Sequence, residues 1–332
     1  MDLKRYLQGL PLVAPSAEDH GRHLRRMVEL GLDRLPLPGQ GATLRRWRQL
    51  AAVGGHDLGL CKLFEGHTDA LAIFAELGAS PPPGATLGTW AAEPPQARVE
   101  VRRHRDGWRL QGSKAWCSGA AVLSHGLLTA WDADGQQQLV CVDLRQPGVT
   151  LDAEGWQAVG MASSASLVVK LDQAEAHLVG GPGDYLRRPG FWQGGIGIAA
   201  CWHGAARAIA QRLLEHCATR QAPHALAHLG AVDSALQAST SVLRESAQAI
   251  DHGPKADAAL LARRARAVTE ANVDRVLHHV GRALGAGPYC QDRQFAQLLA
   301  DLPVYLRQSH AERDLAALGE QVANQQQGTW QL

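Results

Sequence analysis

The sequence predicts an α+β protein in three parts: a helical N-terminal region over residues 1–84, a central antiparallel β domain over 85–185, and a C-terminal four-helix bundle over 186–332. Three observations carry this reading. Apolar residues recur at helical spacing on both sides of a middle stretch in which they alternate or fall in short runs. Punctuation rich in proline and glycine, above all Pro81-Pro82-Pro83-Gly84, closes the first region. After about residue 190, amphipathic stripes follow one another with short connections, the pattern of a bundle.

In the first region Ser16 is placed to cap a helix, with Glu18 and Asp19 in the first turn favouring its positive end. Leu24, Met27 and Val28 continue it. Pro36 and Pro38-Gly39 interrupt the pattern, and Thr43 is expected to cap the next helix, whose apolar side is Leu44, Trp47, Leu50 and Ala51. A third helix carries Leu63, Ala70, Leu71 and Phe74 and stops at Gly78. In the middle region Val99, Val101, Trp108, Leu110, Leu127, Leu128, Val140, Val142, Val149 and Leu151 mark short strands, and 166–171 add one more. The bundle stripes are Ala206 to Cys217, Leu229 to Ile250, Leu261 to Val280 and Phe295 to Leu306, with Gly285-Ala286-Gly287-Pro288 breaking the chain between the last two. Asn272, on the third stripe, reads as a polar residue that fixes register.

Composition bounds the function. A chain of 332 residues with 45% hydrophobic residues builds a substantial core. A formal net charge of +1 points to neither nucleic acid nor an anionic membrane as partner. No apolar run approaches the ~20 residues of a membrane span, and the apolar stretch in MDLKRYLQGLPLVAP is too short for a signal peptide. Six scattered cysteines without a C-x-x-C pair read as reduced thiols of a cytoplasmic protein. No metal site is expected: His224 and His228 are four apart but lack a third ligand, and the adjacent His278 and His279 diverge on a helix.

The chemistry centres on Gly107 to Ala120, GWRLQGSKAWCSGA. Trp108 and Leu110 alternate with Arg109 and Gln111, as on a pleated strand, and Gly112-Ser113 reads as a hairpin turn. A second strand then places Lys114, Trp116 and Ser118 on one face. A flat ring beside a hydroxyl suits a planar heteroaromatic ligand; a hairpin that buries one Trp and exposes one Ser is the alternative.

Gly112, Lys114, Trp116 and Ser118 resemble the G-x-K-x-W-x-[ST] strand of the acyl-CoA dehydrogenase family, and further landmarks follow in order over most of the chain. The resemblance implies that family's fold, an FAD cofactor, Trp116 against the isoalloxazine and Ser118 near its N5 edge. Trp90-Ala91-Ala92-Glu93-Pro94 is similar to the T-E-P segment along the flavin, which places Glu93 there; the G-S-D phosphate loop that follows in the family is replaced by Pro95-Gln96-Ala97-Arg98. Gly160 to Ser164 resembles the turn before the last β strand. Arg220 matches the Arg of R-x-x-F-G, which reaches the FAD phosphates of a neighbouring subunit, but the Phe-Gly is missing. Gly285 and Gly287 match L-G-G-x-G-Y, where backbone approaches FAD.

In the family the catalytic Glu removes the α-proton of an acyl-CoA. Aligned from Asp301, its place here falls on Ser309, beside His310; the other family position falls near Gln193 or Gly194, and Glu312 lies about a helical turn from Ser309. The implied activity is FAD-dependent α,β-dehydrogenation of an acyl thioester with hydride transfer to flavin N5, lacking the usual Glu. A flavin-dependent monooxygenase with His310 handling a proton is the alternative, and a degenerate scaffold that keeps the fold for binding is a third. The implied partners are a small-molecule substrate, an electron-transfer flavoprotein or a flavin reductase, and further copies of the chain in a homo-oligomer.

Overall fold

The computed structural model describes residues 2–10, 16–253, 257–325 and 330. Residues 11–15, part of the segment read for a signal peptide, and Gln326-Gln327 lie outside them. The chain clusters into two compact units, one made of residues 1–35 and 59–191, the other of 36–58 and 192–332.

In the first unit, α1 (Leu3–Gln8) and α2 (Ala17–Glu29) precede α4 (Leu58–Glu76), which starts one residue before this unit resumes. Ser16 caps α2 with a full capping box: its hydroxyl accepts from the Asp19 N–H, and the Asp19 carboxylate accepts from the Ser16 N–H. The strands are β1 (Leu87–Trp90), β2 (Val99–His104), β3 (Gly107–Cys117), β4 (His125–Trp131), β5 (Gln137–Asp143), β6 (Val149–Asp152) and β7 (Leu167–Leu178), and a one-turn helix, α5 (Asp184–Arg187), ends the unit. The sheet runs β1-β4-β2-β3-β7-β5, with β6 on β7; because β4 also pairs with β5, the path closes on itself. Closure leaves few free edges. Most pairs are antiparallel, but β1 and β4 run parallel, Trp90 opposite Leu128. Ile73 and Phe74 of α4 pack with Leu87, Leu127, Leu139 and Val179 to form the core that anchors the sheet.

One expectation fails in β3. Gly112-Ser113 is no turn; β3 runs through it without a break. The β2–β3 hairpin turns instead at Arg105-Asp106, with His104 opposite Gly107. Gly112 is glycine because its φ is +121° and a Cβ there would strike the Arg98 carbonyl.

The second unit holds α3 (Thr43–Gly54), α6 (Pro189–Thr219, from residue 192), α7 (Pro223–His252), α8 (Ala258–Leu284), α9 (Gly287–Gln291), α10 (Arg293–Leu306) and α11 (Glu312–Ala323). The four predicted bundle helices are α6, α7, α8 and α10; α9 and α11 are additions. The expected stripes are inside: Ile209 and Leu213 of α6, Val276 and Val280 of α8, and Leu302 of α10 are fully buried. Val268 is off the stripe and exposed. Thr43 is not the cap of α3. Ala42 holds that position, and Asp251 of α7 reaches in to accept from the Gly41 N–H (3.1 Å), the Thr43 N–H (3.0 Å) and the Thr43 hydroxyl (2.6 Å). A tertiary carboxylate does the work expected of a local hydroxyl. The seam of α3 against α6 is backbone on backbone: a Cβ on Gly204 would collide with the Ala51 carbonyl.

Candidate functional site

Of the residues singled out from sequence, Glu93, Trp116 and Ser118 lie in the first unit; Arg220, Gly285, Gly287, Ser309 and His310 lie in the second.

The first-unit group is built where β3 ends. The register of β3 against β7 shifts between Lys114 and Cys117, a bulge that adds a residue and turns the following side chains. Lys114, Trp116 and Ser118 therefore do not share a face. Lys114 points inward and is fully buried, whereas Trp116 adopts φ +58° and turns its ring outward, 53% exposed. A non-glycine residue in the left-handed region is strained by about 1 kcal/mol or more, and here the result is an indole face presented to solvent on a rigid strand end.

Lys114 ties this strand end to the loop after β1. Its Nζ donates to the Glu93 carboxylate (3.2 Å), the Thr129 carbonyl (3.0 Å) and the Thr129 hydroxyl (2.6 Å). The Thr129 hydroxyl in turn donates to Glu93 (2.5 Å), and the Trp131 indole N–H donates to the other Glu93 oxygen (2.9 Å). All three ammonium protons have acceptors. Burial pulls the Lys114 pKa below the ordinary lysine value, and the Glu93 charge and hydrogen bond oppose that pull. Glu93 thus anchors its loop through its side chain. The parallel register explains the meeting: Glu93 is three residues past Trp90, and Trp131 three past Leu128.

Ser118 begins a chain of hydroxyls. Its Oγ is 2.8 Å from that of Ser166, which is 2.9 Å from that of Ser164, whose hydroxyl donates to the Met161 carbonyl at 2.7 Å. Ser164 and Ser166 are buried at 1% and 3% exposure. Two left-handed residues, Met161 and Ala165, bend the backbone so that Ser164 faces back toward its own turn. Sequence reading placed Ser164 in the Gly160–Ser164 turn without a role for its hydroxyl and missed Ser166, Thr129 and Trp131; the close spacing of Ser163, Ser164 and Ser166 ahead of a strand was the available signal for Ser166.

In the second unit, Arg220 is exposed just beyond α6, its N–H bonded to the His216 carbonyl. Gly285 caps α8 at φ +63°, and Gly287 opens α9; both are exposed. Ser309 is buried, its hydroxyl accepting from the Ala311 N–H at 3.1 Å. His310 is 59% exposed on its side chain; its imidazole lies 3.4 Å from the Asp314 carboxylate, which also accepts its backbone N–H. Ser309 and Glu312 border a cleft of about 500 Å³ with Trp192, Arg263, Glu270 and Asp314. His228 and His279, considered in separate pairs from the sequence, come together with their Nδ1 atoms 2.9 Å apart; among the described residues no group of three metal-ligating side chains forms. Cys117 and Cys141 are inert: burial pushes each thiol up to about 12. Among the described residues, no helix is long and apolar enough to cross a membrane.

No protein-family model matches the chain, and no curated protein matches its sequence significantly. Solved structures do match. FMN-bound TdsC from Paenibacillus sp. A11-2 is similar at a TM-score of 0.74 and 18% identity, covering 98% of this chain and 98% of that one. The methanesulfinate monooxygenase MsuC from Pseudomonas fluorescens reaches a TM-score of 0.80 at 17% identity, over 98% of this chain and 97% of its own. A nitrososynthase from Micromonospora carbonacea var. africana reaches 0.76 at 18% identity, over 97% and 94%. At these identities the likeness establishes the fold: the chain has the α+β architecture of the acyl-CoA dehydrogenase type, with helical N-terminal region, central β domain and C-terminal helical bundle.

Proposed function

We propose that this protein is a flavin-dependent oxidoreductase that oxygenates a small organic substrate, using reduced FMN supplied by a separate flavin reductase. The observation that carries the choice of reaction is Ser309. At the position where the family resemblance puts the proton-abstracting Glu there is a buried hydroxyl engaged by the Ala311 N–H. A serine capping a turn is no base for the α-proton of a thioester. Oxygenation needs no such base. Neighbours of the same fold that are named as monooxygenases support the same choice.

The first unit's residues fit a flavin. The outward Trp116 ring offers a stacking face, and the Ser118 hydroxyl stands two residues on. FMN is favoured over the FAD implied by sequence because Pro95, which has no N–H, and Gln96-Ala97-Arg98 stand where the glycine-bearing phosphate loop of FAD enzymes would offer backbone N–H groups, and because TdsC is FMN-bound. When bound, reduced flavin and dioxygen together supply one oxygen atom to the substrate and release oxidised flavin and water. Within that reaction, Trp116 holds the ring, Ser118 orients it, and the Lys114–Glu93 pair keeps the loop and the strand end in register. In the second unit, taken by itself, the family resemblance makes His310, whose imidazole faces the Asp314 carboxylate, a candidate for handling a proton, Arg220 a candidate for the flavin phosphate of a neighbouring subunit, and Gly285 and Gly287 candidates for backbone contacts with a cofactor.

The test has two arms. Titration with FMN, followed by flavin fluorescence, should show saturable binding that weakens about tenfold in Trp116→Ala, the loss of one aromatic contact of about 1.4 kcal/mol, with far-UV dichroism unchanged. Anaerobic addition of mixed acyl-CoAs to the FMN-loaded protein should leave the visible bands intact. Prompt bleaching would overturn the oxygenase reading in favour of dehydrogenation.

A further inference from the structure

The hydroxyl chain behind Ser118 has a direction. The Met161 carbonyl can only accept, so the Ser164 hydroxyl spends its one proton there. Ser164 must then accept from Ser166, and Ser166, its proton spent, must accept from Ser118. Each serine carries one donor, so polarity propagates outward from the fixed carbonyl without ambiguity. What Ser118 has left for a ligand is lone pairs. Burial of Ser164 and Ser166 keeps water from resetting the chain.

We propose that the Met161–Ser164–Ser166–Ser118 relay holds Ser118 as a hydrogen-bond acceptor and thereby makes this site select reduced over oxidised flavin. The inference rests on the flavin reading above. Reduction places an N–H on the central ring of a flavin where the oxidised form has a bare nitrogen. An acceptor-only hydroxyl satisfies the N–H and confronts the bare nitrogen with lone pairs, and an unsatisfied polar contact costs more than a made one gains. Ser118 is thus a specificity residue, and Ser166 and Ser164 act through it as positioning residues. Discharge of the oxidised product and capture of the reduced form from a reductase follow from the same polarity.

The experiment is a pair of anaerobic titrations of the full chain, with oxidised FMN and with dithionite-reduced FMN, in wild type, Ser166→Ala and Ser164→Ala. Wild type should bind reduced FMN at least tenfold more tightly, which raises the midpoint potential of the bound flavin by about 30 mV. Either alanine variant frees Ser118 to turn its proton outward, so oxidised FMN should bind at least fivefold more tightly and the preference should shrink. The agreement of Ser164→Ala, one link further from the ligand, is what a merely local packing change at Ser166 would not produce. Equal binding of the two forms by wild type, or an unchanged ratio in both variants, would overturn the relay and leave the flavin reading standing. No binding of either form by wild type would overturn both.

Discussion

His203, on α6, should make the second unit fail at mildly acidic pH. Its Nε2 lies 3.5 Å from the Thr240 hydroxyl, and that hydroxyl's own proton goes to the Leu236 carbonyl at 2.8 Å. Nε2 is therefore the donor, and the buried Nδ1 is a bare acceptor with no hydrogen-bond partner among the described residues. Protonating Nδ1 would bury an unpaired donor, and burial first, then the Arg207 charge, lowers the His203 pKa to about 4. An unfolded histidine titrates near 6.5. The folded value is the lower one, so acid favours the unfolded chain: the contribution is complete above pH ~6.5 and drains away as pH falls toward ~4. Integrating between pH 7 and pH 5 gives a loss of about 2 kcal/mol from this one group. The assay is urea unfolding of wild type and His203→Gln at both pH values; Gln keeps an N–H for Thr240 and does not titrate. The variant should lose about 2 kcal/mol less than wild type over that interval. Identical pH dependence in the two proteins would refute the reasoning, because it would mean His203 is protonated as easily folded as unfolded.

Two further substitutions test contacts that hold each unit. Lys114→Met removes the cation from the Glu93 cluster and should destabilise the first unit by about 2 kcal/mol in urea unfolding, with part of the loss recovered in the Lys114→Met, Glu93→Gln double variant, which no longer holds an uncompensated carboxylate. Asp251→Ala strips the acceptor from the Gly41 and Thr43 N–H groups and the Thr43 hydroxyl and should cost about 2–3 kcal/mol in the same assay, whereas Thr43→Val, which spares both backbone bonds to Asp251 and loses the hydroxyl's bonds to Asp251 and from the Gly39 N–H, should cost less.

Much of the fold was legible because local chemistry and tertiary structure agree. Ser16 caps α2 as expected, with Asp19 closing the box as well as charging the first turn, and most of the bundle stripes are buried or partly buried, Val268 apart. Where long-range contacts intervene, sequence reading errs. Thr43 looks like a cap, but its hydroxyl is a donor to Asp251, more than 200 positions away. Gly112 looks like a turn, but it is a glycine for close backbone approach; the real turn is Arg105-Asp106, closed by His104 opposite Gly107. The site shows the same limit. Period-two counting puts Lys114, Trp116 and Ser118 together, and a bulge that no single-sequence pattern reveals sends Lys114 in and Trp116 out. The relay is invisible for a further reason: its polarity depends on which carbonyl Ser164 meets, and that is set by two left-handed residues, Met161 and Ala165, neither of them glycine.

The division of the chain into units is not a division of the gene. Residues 36–58 belong to the second unit, yet the rest of that unit starts only at 192. During synthesis α3 leaves the ribosome about 130 residues ahead of its partner, a delay of roughly ten seconds at ordinary elongation rates. Throughout that interval Trp47 and Leu50, both buried in the finished protein, lack the α6–α11 partners of their own unit, which makes α3 a segment that a chaperone would cover. A contiguous C-terminal fragment would inherit the same defect permanently, with the α6 backbone around Gly204 laid open where Ala51 should press against it.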